Sequence, residues 1–381
     1  SGGSKSGAVA GEAENAAAGE VERSESLTDK LRRNYNALYG LYDARKLWAL
    51  FAILRLVVNR FSKKYDIVIS SGPPSASQLV GYWAAKLNGA KYVMDFRDPW
   101  VGNSLVDSRS SSNWRDRLEQ AAERKCCTNA SLIVVTTLGV KEMLSQRYRD
   151  VEANIEVIYN GFDGELRSPT VASSGRMDLL YAGSLYLNRN PFPFLEAIKR
   201  LISDVAQSRN YVSVTFVGNC DVWNGASVAN WVSENSMQDL VKILEPVPYE
   251  EVEKLFQSAS ALINFAQGQG IQIPAKTFEY LSAGKEIVHV GEPESDSARL
   301  LKDAGFPVVL DFSSPEAAYK QLVSLYEQQL SGKSSLPGKQ KLRRFSRRAQ
   351  NTLYASAIFS SRDEKHCAGE SPDRRSDNQD E

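Results

Sequence analysis

From residue 66 onward, short runs rich in Val, Ile and Leu alternate with longer mixed segments, and the alternation repeats twice. The first set predicts strands at Asp66–Ser70, Lys91–Asp95, Leu132–Thr136 and Ile155–Ile158, with helices at Ser77–Leu87, Trp114–Cys127 and Val140–Tyr148 between them. A polar stretch bearing Ser and Gly, 163–176, reads as an interdomain linker. The second set predicts strands at Asp178–Gly183, Val212–Val217, Val241–Leu244, around Leu262, Ile287–Val290 and Pro307–Leu310. Its helices are expected at Phe192–Leu201, near Trp231, and at Tyr249–Gln257 and Pro315–Gln329, and a basic segment, Gln340–Phe359, predicts a last helix. Strands that alternate with helices give a mostly parallel sheet. The fold class is therefore α/β, with two Rossmann-like domains that face a cleft, a usual place for a ligand.

The second set is organised around 273–290. The strand at 261–265 runs into a loop, Pro274 suits the first turn of a short helix, Phe278 and Leu281 can face the core together, and Gly284 suits a left-handed helix end. A buried strand follows. This places a helix N-terminus at the carboxyl edge of a parallel sheet, where open α/β sheets bind ligands and where free N–H groups favour an anion.

Composition narrows the chemistry. Lys+Arg and Asp+Glu both number 46 in 381 residues, so no overall field points to nucleic acid. The four cysteines form no C-x-x-C pair, and only two histidines exist, His289 and His366. A disulfide framework, a histidine metal site and a Ser-His-Asp triad are not expected, and a reducing cytosol is. No signal peptide or long apolar run is evident. Residues 1–26 and 361–381 read as disordered, the former alternatively as the remnant of a long loop. The basic stretch 27–64, with apolar Leu47–Val58 inside it, has two readings: a helix that covers the sheet with a solvated basic face, which we favour, or one that meets anionic lipid.

The segment Pro274-x-Lys276-x-Phe278-Glu279-Tyr280-Leu281-x-x-Gly284 resembles the donor-binding segment of glycosyltransferase family 4, whose members have the two-domain GT-B fold. Tyr181–Asn190, Asp95-Phe-Arg-Asp-Pro-Trp100, Ile158-Tyr-Asn-Gly-Phe162, Phe216-Val-Gly218 and Phe345-Ser-Arg347 are similar to further segments of that family in the expected order, over about residues 60–355. The resemblance implies a first domain at 27–165 on the acceptor side, a nucleotide-sugar domain at 166–337 and a terminal helix, 338–360, that crosses back to the first. It implies donor contacts from Gly183, Ser184, Arg189, Gly218, Pro274, Lys276, Thr277 and Glu279, with Arg189, Lys276 and Glu279 as the catalytic set. Glu279 would hold the ribose hydroxyls, and Arg97 and Asp98 would face the acceptor.

The activity so implied is a retaining hexosyl transfer from a nucleotide-sugar in bacterial surface polysaccharide or glycolipid assembly. It needs no metal and no cofactor. The acceptor would be a saccharide or lipid-linked, and the enzyme cytoplasmic or peripheral on the inner face of the membrane. Two departures stand out. Ser75 and Gln78 lie where relatives often carry a histidine, and no strand with a Gly-rich loop is found ahead of Asp66, so the first domain is expected to lack its first strand and loop. These motivate the alternative of a catalytically weakened or truncated GT-B module that binds without transfer.

Overall fold

The computed structural model describes residues 44–59, 64–101, 113–149, 154–168, 175–332 and 336–360. The expectations for 1–26, for 27–43 and 60–63 of the basic stretch and for 361–381 lie outside the described residues. Contacts divide the chain into Ser1–Trp48 and Ala49–Glu381, and the two sheets both belong to the second unit.

Four strands, β1 (Ile67–Gly72), β2 (Lys91–Phe96), β3 (Leu132–Val135) and β4 (Asn154–Val157), form a parallel sheet in sequence order. Right-handed crossovers in such an order put every connecting helix on one face. Those helices are α2 (Ala76–Asn88), α3 (Asn113–Asn129) and α4 (Leu138–Arg147), and their Tyr82, Cys126, Cys127 and Leu144 pack with Tyr92, Met94 and Phe96 of β2. The period of two in a strand sends Val93 and Asp95 to the other face. There Val93, Leu132 and Val134 meet Tyr354 and Ile358 of the terminal helix α12 (Arg347–Ser360). Among the described residues β1 is an edge strand, and its Ile69 is half exposed.

The six other long-range strands are β5 (Met177–Ala182), β6 (Val212–Val217), β9 (Val241–Leu244), β10 (Ala261–Phe265), β11 (Glu286–Val290) and β12 (Val309–Leu310). They too pair in parallel, in the order β12-β11-β10-β5-β6-β9. The short hairpin of β7 (Val222–Trp223) and β8 (Ala226–Ser227) stands apart, and helices α5 (Phe192–Asp204), α6 (Val228–Glu234), α7 (Tyr249–Ser258) and α10 (Pro315–Leu330) accompany the strands. The core of this sheet is aromatic: Tyr181, Phe194, Phe216 and Phe265 are fully buried, with Tyr181 edge-on to Phe265 at 5.0 Å. From β5 the chain runs outward through β6 to β9, then returns to the other side of β5 for β10. The topological switch point therefore falls between β5 and β10.

Several expectations need correction. The single helix at 340–359 is two, α11 (Lys339–Arg343) and α12, because buried Phe345 lies between them and anchors to the second sheet's core while Ile358 anchors to the first. The break is held by Phe162, whose N–H donates to Phe345 O at 3.0 Å and whose carbonyl accepts from Arg347 N at 2.8 Å. A helix at Asp296–Ala304, α9, was not anticipated; Ser295 caps it, accepting from Ala298 N at 3.2 Å, and Gly305 closes it at φ 105°. Helix α1 (Ala44–Asn59) carries exposed Arg55, and most of the other basic residues of 27–64 lie outside the described side chains. Its exposed residues include Leu47, Leu50, Phe51, Leu54 and Val58, an i, i+3, i+4, i+7, i+11 stripe. No described helix is long and apolar enough to cross a membrane.

Candidate functional site

The loops that leave β5 and β10 flank the switch point. That after β5 begins at Gly183, at φ 147°, where a Cβ would lie 2.2 Å from Lys276 Nζ. Gly218, which follows β6, packs on it so closely that a Cβ there would lie 2.2 Å from Gly183 O. Both glycines thus let backbone and the lysine occupy one small volume. Ser184 sits beside them; its carbonyl accepts from Tyr181 Oη at 2.8 Å.

Helix α8 (Ala275–Ser282) brings Lys276 to this loop. Pro274 is its buried N-cap, at φ −54° and ψ 136°, one position ahead of the expected first turn, and Gly284 is left-handed after it, as anticipated. Lys276 Nζ donates to Ala182 O at 3.0 Å and lies 3.9 Å from the Tyr181 ring centroid. Arg189, only 7% exposed, stacks on Tyr186 with its Nε unpartnered. Neither cation makes an ion pair among the described residues. Burial, and then the charge of Arg189, lowers Lys276 from 10.5 to about 7. Buried Arg189 and part-buried Lys276 thus repel each other across a loop open to close approach.

Thr277 does not reach this site. It is fully buried, and its Oγ1 donates to Asn264 Oδ1 at 3.1 Å. Asn264 Nδ2 meets His289 Nδ1 at 3.3 Å, and His289 Nε2 meets Ser295 Oγ at 3.3 Å. The chain of donors closes with a neutral His289 protonated on Nε2. Burial holds this histidine down to about 4. The network ties α8 to β10, β11 and α9, so Thr277 orients the helix that carries Lys276.

Glu279 points elsewhere. It lines a cavity of about 640 Å³ together with Asp95, Arg97, Asn160, Arg347, Asn351 and Tyr354. Burial raises its pKa, against the charges of Lys276 and Arg347. Arg97 enters this cavity, where it bonds Asn160 Oδ1 and lies 3.5 Å from Asp95 Oδ2. Asp98 parts from it and accepts from Gln272 Nε2 at 3.3 Å. The structure therefore gathers Gly183, Ser184, Arg189, Gly218 and Lys276 in one place, and Glu279 with Arg97 in a second. Gln78, a possible replacement for a histidine, is buried and committed: it accepts from Ser70 Oγ at 2.5 Å and donates to Asp95 O at 2.9 Å.

Sequence reasoning passed over Asp95, Asn160 and Tyr354 as cavity residues. A carboxylate inside an otherwise apolar strand was the signal for Asp95; nothing local marked Tyr354, which reaches the cavity only because α12 returns. It also passed over the clasp between the sheets, where Asp296 Oδ2 accepts from Gly139 N at 2.7 Å and Ile271 O accepts from Thr137 Oγ1 at 2.7 Å. Among the described residues no group of three His, Cys, Asp or Glu is placed to hold a metal.

The sequence profile described as Glycosyltransferase Family 4 matches residues 14–166. No curated protein matches the chain. Among solved structures, the lipopolysaccharide outer core galactosyltransferase WaaB in its apo form is similar at a TM-score of 0.57 and 16% identity, covering 82% of this chain and 80% of its own. Anabaena HepE in complex with UDP-glucose is similar at a TM-score of 0.53 and 14% identity, covering 81% and 82%. Sucrose-phosphate synthase from Thermosynechococcus elongatus is similar at a TM-score of 0.50 and 14% identity, covering 78% and 74%. Two parallel Rossmann-like sheets, a terminal helix that returns to the first and these likenesses together establish that the chain has the GT-B fold, with the Family 4 profile on its N-terminal part.

Proposed function

We propose that the protein is a glycosyltransferase that moves a hexosyl group from a nucleotide-sugar to an acceptor hydroxyl, with retention and without a metal, in bacterial surface polysaccharide or glycolipid assembly. The observation that carries this is the pair of buried Arg189 and part-buried Lys276, without an ion-pair partner among the described residues, against Gly183 at the switch point. A nucleoside diphosphate supplies the missing charge. The family match and the UDP-glucose bound to HepE support the same choice of ligand.

In the reaction, the bond from the sugar's anomeric carbon to the diphosphate oxygen breaks and a bond to the acceptor oxygen forms. The acceptor's proton passes to the departing phosphate oxygen on the same face. Negative charge grows on the diphosphate, and preorganised cations in a site shielded from water stabilise it. Arg189 serves this as a two-pronged donor and Lys276 as a point charge. Glu279 accepts from the ribose hydroxyls, and Arg97 and Asp98 belong to the acceptor side. The apolar stripe of α1 suits peripheral contact with the inner face of a membrane, which would bring a lipid-linked acceptor within reach.

The test is thermal stabilisation by UDP, GDP, ADP and dTDP, with and without magnesium, on the parent and on Glu279→Ala. Ligands that bind the native state raise the midpoint by mass action. A rise with one nucleotide, independent of magnesium and abolished in Glu279→Ala, is expected; no rise with any of them overturns the assignment. A second reading, binding without transfer, is favoured by one feature: the first sheet's domain contains no histidine, and Gln78 is locked in the core. It requires the same thermal shift without release of nucleotide in the presence of sugar donor and acceptor.

A further inference from the structure

The cavity that holds Glu279 has a second polar wall, contributed by the first sheet and α12. Asp95 lies on it, 6% exposed. Its Oδ2 is satisfied: Ser71 Oγ donates at 2.7 Å, with Arg97 Nη1 at 3.5 Å. Its backbone is fixed by Gln78 Nε2 on Asp95 O. Among the described residues its Oδ1 has no donor, and the hydroxyl of Tyr354 on the same wall has no partner either. A buried carboxylate oxygen and a buried phenol oxygen, left unmatched on residues that line one cavity, call for an explanation, because each forfeits a hydrogen bond it would make in water. Burial and the charge of Asp95 push Tyr354 up to about 12, so it keeps its proton and remains a donor.

We propose that Asp95 and Tyr354 form a hydroxyl-binding subsite for a saccharide. One sugar hydroxyl satisfies both groups: its proton goes to Asp95 Oδ1, and its oxygen accepts from Tyr354 Oη. A carboxylate and a phenol select a group that both donates and accepts, which a phosphate oxygen does not. The cavity, at about 640 Å³, has the size of a small-ligand pocket. Asn160, Asn351 and Arg97 line it with further amide and guanidinium donors. Both unmatched atoms lie beneath the surface, so entry of the hydroxyl takes a rotation of the part-exposed Tyr354 side chain. This rests on the transferase reading in one respect: Glu279 opposite makes the saccharide held here the acceptor, and Asp95 the residue that orients its hydroxyl.

The experiment uses saturation-transfer NMR with millimolar methyl α-glucoside, methyl α-galactoside and methyl N-acetylglucosaminide, in the presence of UDP. The proteins are the parent, Asp95→Asn and Tyr354→Phe, each with its UDP-induced thermal shift measured in parallel. Loss of a hydrogen bond to a buried charged group weakens binding on the order of tenfold or more. The expected result is contact with at least one glycoside in the parent, lost in both variants while the UDP shift stands. Tyr354→Phe removes one oxygen at a part-exposed site, so it remains informative if Asp95→Asn does not fold. Absence of contact with every glycoside in the parent, or contact undiminished in Tyr354→Phe, overturns the subsite. Glycoside contact with the expected variant losses but no UDP shift in the parent sinks the nucleotide-sugar reading and leaves the subsite standing.

Discussion

Lys276→Met removes one of the two repelling cations, and the expected result is a more stable ligand-free protein. The lysine lies at about 7 in the folded chain against 10.5 ordinarily. Its folded value is below the unfolded one, so the native state binds fewer protons between those two pH values. The cost is therefore fully present below pH 7, fades as pH rises toward 10.5 and is gone above it. At ~1.4 kcal/mol per pH unit, it amounts to roughly 4 kcal/mol at pH 7, as an upper bound. Against this stands about 1 kcal/mol for the lost hydrogen bond to Ala182 O. Methionine has nearly the same length and an affinity for aromatic rings, so it keeps the packing over Tyr181. Urea unfolding of parent and variant between pH 6.5 and 9.5 checks this. The variant should be the more stable by about 1–3 kcal/mol at pH 7, with the gap closing as pH rises. A variant less stable than the parent at pH 7, or a gap that does not change with pH, would refute the claim that the site stores unbalanced positive charge.

The same lysine sets the pH dependence of ligand binding. A diphosphate between Lys276 and Arg189 restores the charged ammonium, so binding takes up a proton above pH 7. Affinity for the nucleotide should fall by up to about tenfold per pH unit above 7 in the parent, and calorimetry in two buffers of different ionisation heat should register the proton. In Lys276→Met the slope should vanish along with most of the affinity.

Gly183→Ala should leave the chain folded, at a cost of about 1–3 kcal/mol, because the new Cβ meets only the flexible end of Lys276; its nucleotide-induced thermal shift should be lost. Gly218→Ala should be worse for folding, since its Cβ meets the backbone carbonyl of Gly183, and circular dichroism melts should rank the two. His289, held down to about 4 by burial, has a folded value below its ordinary 6.5, so the native state should lose up to roughly 3 kcal/mol as pH falls from 6.5 to 4. In His289→Gln that acid loss should shrink, by urea unfolding at pH 7 and 4.5. Asp296→Ala leaves Gly139 N without its acceptor and should cost about 1–2 kcal/mol, with faster amide exchange at the start of α4 as its mark.

What the sequence made legible follows from which forces are local. Strands such as 132–135 and 261–265 are buried on both faces, so apolar runs announce them without reference to neighbours. The turn chemistry at Pro274 and Gly284 is equally local, and it located α8 within a residue. Helix α9 escaped because its signals, a Ser cap and a closing Gly, flank a short segment whose only large apolar residues are the adjacent Leu300 and Leu301. The helix at 340–359 was misread as one because its break is not local at all: it exists so that Phe345 and Ile358 can enter two different cores. The same distinction runs through the site. Arg189 and Lys276 were named through the family resemblance of the segments 181–190 and 274–284, each of which is local in sequence. That they repel each other was not readable, since 87 positions separate them and only the switch point between β5 and β10 brings them together. Asp95 and Tyr354 are further apart still and line one cavity only because α12 returns across the first sheet. Charges left unbalanced by such distant meetings are the ones a folded chain has no internal reason to keep. On the two readings proposed above, the group that restores the balance has a chemistry set by what is lacking: negative charge at the first, a hydroxyl at the second.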